Sequence, residues 1–173
     1  MRSPSIEASP SRGRSSTLAV ALAVALAVAL AVFGSASLTA CSSGPVSVLA
    51  PSPPTSSAAT AACQALASAL PSTVDGQDRR TTDPDTGLVA AYGDPPIVLR
   101  CGVERPAALE PTSQLVTVNG IDWFPEPLSN GYRFTTVGRV ANVEVSVPRD
   151  YSPEADVLVD LTDAVQQDPP PTK

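Results

Sequence analysis

The sequence predicts an α+β domain: a single antiparallel sheet of about five or six strands, with an N-terminal and a C-terminal helix packed on one face. Three observations carry that reading. Helical apolar spacing occurs at both ends of residues 59–166. Between those ends, alternating apolar and polar runs are separated by turns rich in Pro, Gly and Asp. The strand–helix–strand alternation that a parallel sheet requires is missing, and no internal repeat is visible.

Ahead of that domain lies a different kind of polypeptide. The chain opens with Met1-Arg2-Ser3-Pro4 and Arg12-Gly13-Arg14, then runs without charge from Ser15 to Ala40. Leu18 to Phe33 is continuously apolar. A basic stretch, an apolar stretch and small residues in that order describe an export signal. The strict run of roughly 16 residues falls just short of the 17–25 that span hydrocarbon, and no basic stop-transfer cluster follows it. Leu38-Thr39-Ala40-Cys41 resembles the bacterial lipobox. The resemblance implies cleavage before Cys41, a diacylglycerol on its thiol and palmitate-type acylation. Two acyl chains hold stably where one is marginal. Residues 1–40 are therefore expected to be a cleaved signal peptide. The protein would face outward from the plasma membrane, with the membrane as a partner through Cys41.

Residues 41–58 are rich in Ser and Pro and carry no charge. Such a stretch buries too little apolar surface to offset chain entropy, and the expectation is a disordered tether. In polyproline form the 16 residues from Ser42 would reach roughly 50 Å. Residues 167–173, with Pro169-Pro170-Pro171, read as a disordered tail.

Cys63 and Cys101 are the two remaining thiols. An even count in an oxidising compartment favours a bridge. In the first helix, residues 58–70, helical spacing puts Ala59, Cys63, Leu66 and Leu70 on one stripe. In residues 97–103, alternation puts Ile97, Leu99, Cys101 and Val103 on one face of a strand. Both thiols then point into one core. A catalytic thiol is disfavoured, because the chain has no His and no CxxC pair.

Strands are expected at 77–82, 87–92, 97–103, 114–119, 132–137 and 140–147. Val137-Gly138-Arg139-Val140 reads as a two-residue hairpin turn. That register sets Phe134 against Val143, Tyr132 against Val145, Arg133 against Glu144 and Thr135 against Asn142. The last helix starts at Ser152-Pro153, a cap followed by Pro at the first helical position. Its buried stripe is Ala155, Leu158, Leu161, Ala164 and Val165, with Val157 at the edge.

Charge narrows the function classes. Residues 41–173 hold eight basic and sixteen acidic side chains, an unfavourable balance for nucleic acid, which needs clustered Lys and Arg. The absence of His removes the commonest neutral-pH base and metal ligand. Asp83-Pro84-Asp85-Thr86-Gly87 has part of a calcium-loop spacing, but it lacks the further acids such a loop needs and reads better as a turn. No metal or other cofactor is expected. The richest stretch is Asn119-Gly120-Ile121-Asp122-Trp123-Phe124-Pro125-Glu126-Pro127, taken as a loop. Trp123 and Phe124, with Asp122, Tyr92 and Arg100, are candidate binding residues; the alternatives are that the aromatics cap the core and that Arg100 forms a cross-strand salt bridge. Asp122 and Glu126 as the acid pair of a small envelope-polymer hydrolase are a second functional reading.

Gly93 to Val103, Val118 to Phe124 and Phe134 to Arg139, together with the lipobox, are similar to a domain-of-unknown-function family of small actinobacterial membrane lipoproteins. The similarity runs from about Cys63 to Val165. It implies an exported envelope lipoprotein and supplies no activity or catalytic residue. The expectation is a non-enzymatic binding or scaffolding module whose partner is an envelope protein or cell-wall component.

Overall fold

The computed structural model describes residues 44–54 and 56–170; residues 1–43, with the expected signal peptide and Cys41, together with Thr55 and the last three residues, lie outside the described residues. A two-residue strand, β1 (Val46–Ser47), precedes helix α1 (Ser57–Ala69). Then come β2 (Thr73–Val74), β3 (Gln77–Arg80), β4 (Thr82–Asp83), β5 (Val89–Tyr92) and β6 (Ile97–Val103). After a long connection follow β7 (Val116–Val118), β8 (Ile121–Leu128), β9 (Gly131–Thr136) and β10 (Asn142–Pro148). Two short 3-10 turns lead into α2 (Val157–Asp160) and α3 (Thr162–Val165). Eight strands form one sheet in the order β2-β3-β5-β6-β10-β9-β8-β7. Every neighbouring pair in it is antiparallel. The fold is α+β with a large antiparallel sheet and a few short helices.

The strand count corrects the expected five or six. The six expected strands are present in the sheet, although the first ends at Arg80 and its last residue, Thr82, falls in β4, which pairs in parallel with β1 instead. The additions are β2 and β8. Pro125 and Pro127 made β8 read as a loop, since Pro is excluded from central strands. Yet β7 pairs with β8 only at residues 121–123, while β9 pairs with it from 123 to 128. Beyond Trp123, β8 is thus an edge on its β7 side. Alternation puts the missing N–H groups of both prolines toward that open edge, where no ladder bond is lost.

The C-terminal helix is also corrected. Instead of one helix from Ser152, the chain makes a 3-10 turn and two four-residue helices interrupted at Leu161. The apolar stripe survives: Leu158, Leu161, Ala164 and Val165 are buried, and Val157 joins them. Helix α1 matches its expected span to within a residue. Its first turn is capped by Ser56, whose side chain accepts from the Ala59 amide at 3.1 Å.

One apolar cluster unites these elements. Ala59, Ala62, Cys63 and Leu66 of α1 meet Ile97, Leu99 and Cys101 of β6 and Val143, Val145 and Val147 of β10. Leu158, Leu161 and Val165 belong to the same cluster. Each of the fully buried leucine, isoleucine and valine side chains among them contributes about 1.5–3 kcal/mol over exposure. Cys63 and Cys101 form a disulfide, with Cα atoms 5.7 Å apart, that staples α1 to β6.

The hairpin register differs from the expected one by two residues. Phe134 faces Val145, Tyr132 faces Val147 and Thr135 faces Glu144. A two-residue turn fails because the C-terminal segment takes the polar groups it would use. The Val140 amide donates to the Pro169 carbonyl at 3.0 Å. The Ala141 amide donates to the Asp168 carboxylate at 3.1 and 3.3 Å. Because the slip is even, the aromatic and valine side chains keep their shared face. Residues 167–170, expected to belong to a disordered tail, are tied down by these same bonds, and Asp168 is fully buried.

The tether is corrected in the same way from Gly44 onward. The Val46 and Val48 amides donate to the Thr81 and Asp83 carbonyls at 2.9 and 3.0 Å. Guanidinium groups hold its carbonyls: Arg80 donates to Gly44 O at 2.9 Å and Arg100 to Leu49 O at 3.1 Å. Its end packs on Gly102, which has φ near +86°, and a Cβ there would crowd Pro54 Cγ at 2.7 Å. A polar, Pro-rich strand can stay ordered when its backbone groups find partners on a formed domain.

Candidate functional site

Strand alternation decides where the candidate residues point. On β8, Ile121 and Trp123 face the core while Asp122 lies between them on the other side. Trp123 is 0% exposed, its ring packed in the main cluster. Phe124, on the opposite face, is also buried. Tyr92 on β5 is 0% exposed, and its hydroxyl donates to the Pro71 carbonyl at 3.0 Å. Burial pushes that hydroxyl above the ordinary tyrosine range, with the Arg79 charge pulling the other way. Trp123 and Tyr92 therefore belong to the packed interior, and Phe124 keeps only 9% exposure on the other face; the core-capping alternative describes these aromatics better than a binding lip. The sequence did hold the signal, in the alternation Ile121-Asp122-Trp123, which is a strand pattern.

The two carboxylates of the hydrolase reading are not brought together. Asp122 and Glu126 sit four residues apart on one strand and one face, about 13 Å along it at the strand rise. Glycosidase acid pairs stand roughly 5–9.5 Å apart. Asp122 accepts from the Thr117 hydroxyl at 2.7 Å, and Glu126 lies opposite Arg133 in the β8–β9 ladder. Asp122 is thereby held by a local partner.

Arg100 does what the cross-strand alternative expects. It stands opposite Glu144 on β10 and donates to its Oε1 from Nε at 2.9 Å and from an Nη at 2.7 Å. Arg133 approaches the other Glu144 oxygen at 3.5 Å. Glu144 is buried between the two guanidiniums and balances one of their two charges, with its hydrogen bonds going to Arg100. A free anion would have to displace a fixed carboxylate.

What the fold assembles instead is a rim beside the N-terminal segment. Arg80, donating to Gly44 O, also donates to Gly93 O at 3.0 Å and lies 3.9 Å from Asp94. With Arg79, Thr81, Thr82 and Asp85 it lines a cavity of about 300 Å³. No sequence signal marked Arg80, because its role depends on a segment 36 residues earlier lying beside it. Among the described residues, no group of three or more His, Cys, Asp or Glu is placed to hold a metal ion. None of their helices is long and apolar enough to cross a membrane.

Residues 18–173 match the sequence model of a family described as a protein of unknown function (DUF3515). No curated protein and no solved structure matches the chain.

Proposed function

The chain belongs to the DUF3515 family, a family of unknown function, and we propose that it is a lipid-anchored envelope protein of the outward membrane face. In this reading the folded domain is a non-enzymatic binding or scaffolding module. The observation that carries it is Leu38-Thr39-Ala40-Cys41 placed directly after a basic and an apolar stretch. Two further features support it. The Cys63–Cys101 bridge suits an oxidising compartment and accounts for two of the three cysteines, leaving Cys41 for the lipid. The family match begins at residue 18, so it takes in the apolar stretch and Cys41 along with the folded domain. The non-enzymatic part is favoured by the separation of Asp122 from Glu126 and by the occupied state of Arg100.

Mass spectrometry of the protein extracted from membranes tests the anchor. The expected N-terminal peptide begins at Cys41 and carries a diacylglyceryl mass. A Cys41→Ser variant should leave the membrane fraction; one that stays there overturns lipidation as the anchor. Crosslinking in native membranes should capture an envelope protein or a cell-wall fragment on the lipidated form.

A further inference from the structure

Resting on the lipid-anchor reading, we infer that the face formed by residues 44–49 is a membrane-contacting surface, with the Leu49 side chain seated at the boundary between headgroups and acyl chains. The first argument is covalent reach. Only Ser42 and Ser43 separate Cys41 from Gly44, which Arg80 holds. Three residue steps span at most about 10 Å. A lipid on Cys41 therefore pins Gly44 within about one headgroup layer of the bilayer surface, and the domain cannot stand off by the length of its Pro-rich segment. Were the segment free up to Pro54, thirteen residues would reach roughly 40 Å in polyproline form.

The second argument is the chemistry of what sits there. Leu49 is 82% exposed, the most exposed large apolar side chain among the described residues, while its carbonyl is gripped by Arg100 at 3.1 Å. Val48 beside it turns inward and is buried. A held backbone thus offers one leucine outward, five residues beyond Gly44 and eight beyond Cys41. The cavity beside the segment adds Arg79 and the hydroxyls of Thr81 and Thr82, donors that suit phospholipid phosphates, while Arg80 in the same lining is held by Gly44 O and Gly93 O; Asp85 in the wall and Asp94 near Arg80 oppose them. On an acidic body this is where two guanidiniums adjoin the chain's path to its lipid.

The test uses the lipidated protein, its Cys41 acylation checked by mass, reconstituted in vesicles of lipids brominated near the headgroup end of the acyl chains. Leu49→Trp and Val159→Trp are compared, since both positions are exposed and lose little packing. The parent's buried Trp123 gives the unquenched background. The expected result is a roughly two-fold drop in the added emission of Leu49→Trp, an insertion of 5–10 Å being what an interfacial contact gives, and none for Val159→Trp. Equal quenching at both positions, or none at 49 in protein that floats with the vesicles, overturns the proposed face while leaving the anchor standing. Protein that carries no lipid mass and does not float overturns the anchor itself, and this inference with it. In a Val48→Asp background, which loosens the segment, floatation should persist while the Leu49→Trp quenching is lost; quenching that persists there would show that the docked segment does not set the contact.

Discussion

Replacing both Cys63 and Cys101 by Ala should cost the domain about 4 kcal/mol. The bridge joins residues 38 apart in sequence. In the chain-entropy account a loop of that length loses 2.1 + 1.5R ln 38, about 13 cal/mol/K, or about 4 kcal/mol at 25 °C. The described domain of about 125 residues unfolds with an entropy near 0.26 kcal/mol/K, so the melting temperature should fall by about 15 °C. Both sulfurs are buried, at 0% and 1% exposure, so the substitution also leaves small voids that push in the same direction. The assay is urea unfolding of the chain from Ser42 onward, parent and double variant, followed by circular dichroism. Removing the crosslink should also steepen the dependence on urea, because the unfolded chain expands. Reduction of the parent should reproduce the shift. A loss below about 1 kcal/mol with an unchanged slope would refute the reasoning, since the staple between α1 and β6 would then constrain nothing in the unfolded ensemble.

Three further outcomes follow from particular side chains. Burial raises the Asp168 carboxyl above its ordinary range, against the opposing pull of the Ala141 amide and Arg139. Its contribution to stability is therefore present below the unfolded value of about 3.8 and lost as pH rises through the higher folded value; the stability of the parent minus that of Asp168→Asn should grow as pH falls through that window in unfolding titrations, and a shrinking difference would contradict it. Gly131 has φ near +123°, and a Cβ there would run into the Val147 carbonyl oxygen, so Gly131→Ala should destabilise by more than about 1 kcal/mol in urea melts. Tyr92→Phe keeps the packed ring but leaves the Pro71 carbonyl without its donor, a cost of about 1 kcal/mol in the same assay.

Elements with strong local periodicity were legible in the chain. Helix α1, β5, β6 and the buried stripe of the last helical segment all follow from apolar spacing, and so does the pairing of Cys63 with Cys101. What stayed hidden depended on distant partners. The β9–β10 register required knowing that Asp168 and Pro169 return to Ala141 and Val140. The docking of Val46 and Val48 required Thr81 and Asp83, some 35 residues on. The candidate site failed for a different reason. Trp123 and Tyr92 read either as contact residues or as core, because aromatic residues with polar handles serve both interiors and surfaces. The strand reading of β8, masked by its two prolines, decides for the core-capping alternative at Trp123.

Those prolines bear on how the domain can meet a partner. An open antiparallel sheet recruits extended peptides at its edges, by strand addition. Here one edge is β2, only two residues long and led by Pro71. The other is divided between β7, three residues long, and the stretch of β8 from Pro125, where two of the N–H groups that would face an incoming strand are absent. Short edges and prolines are how natural sheets resist pairing with another chain. Recognition through the sheet edge is thereby disfavoured, and the core-facing side is closed by α1, α2 and α3. The accessible chemistry then lies on the other sheet face, which carries Asp122 and Arg133, and on the connecting segments, where residues 44–49 bring an outward leucine close to the path to Cys41. If the proposed lipid contact holds, a protein or cell-wall partner must use a surface away from this one, because lipid and partner cannot share Leu49.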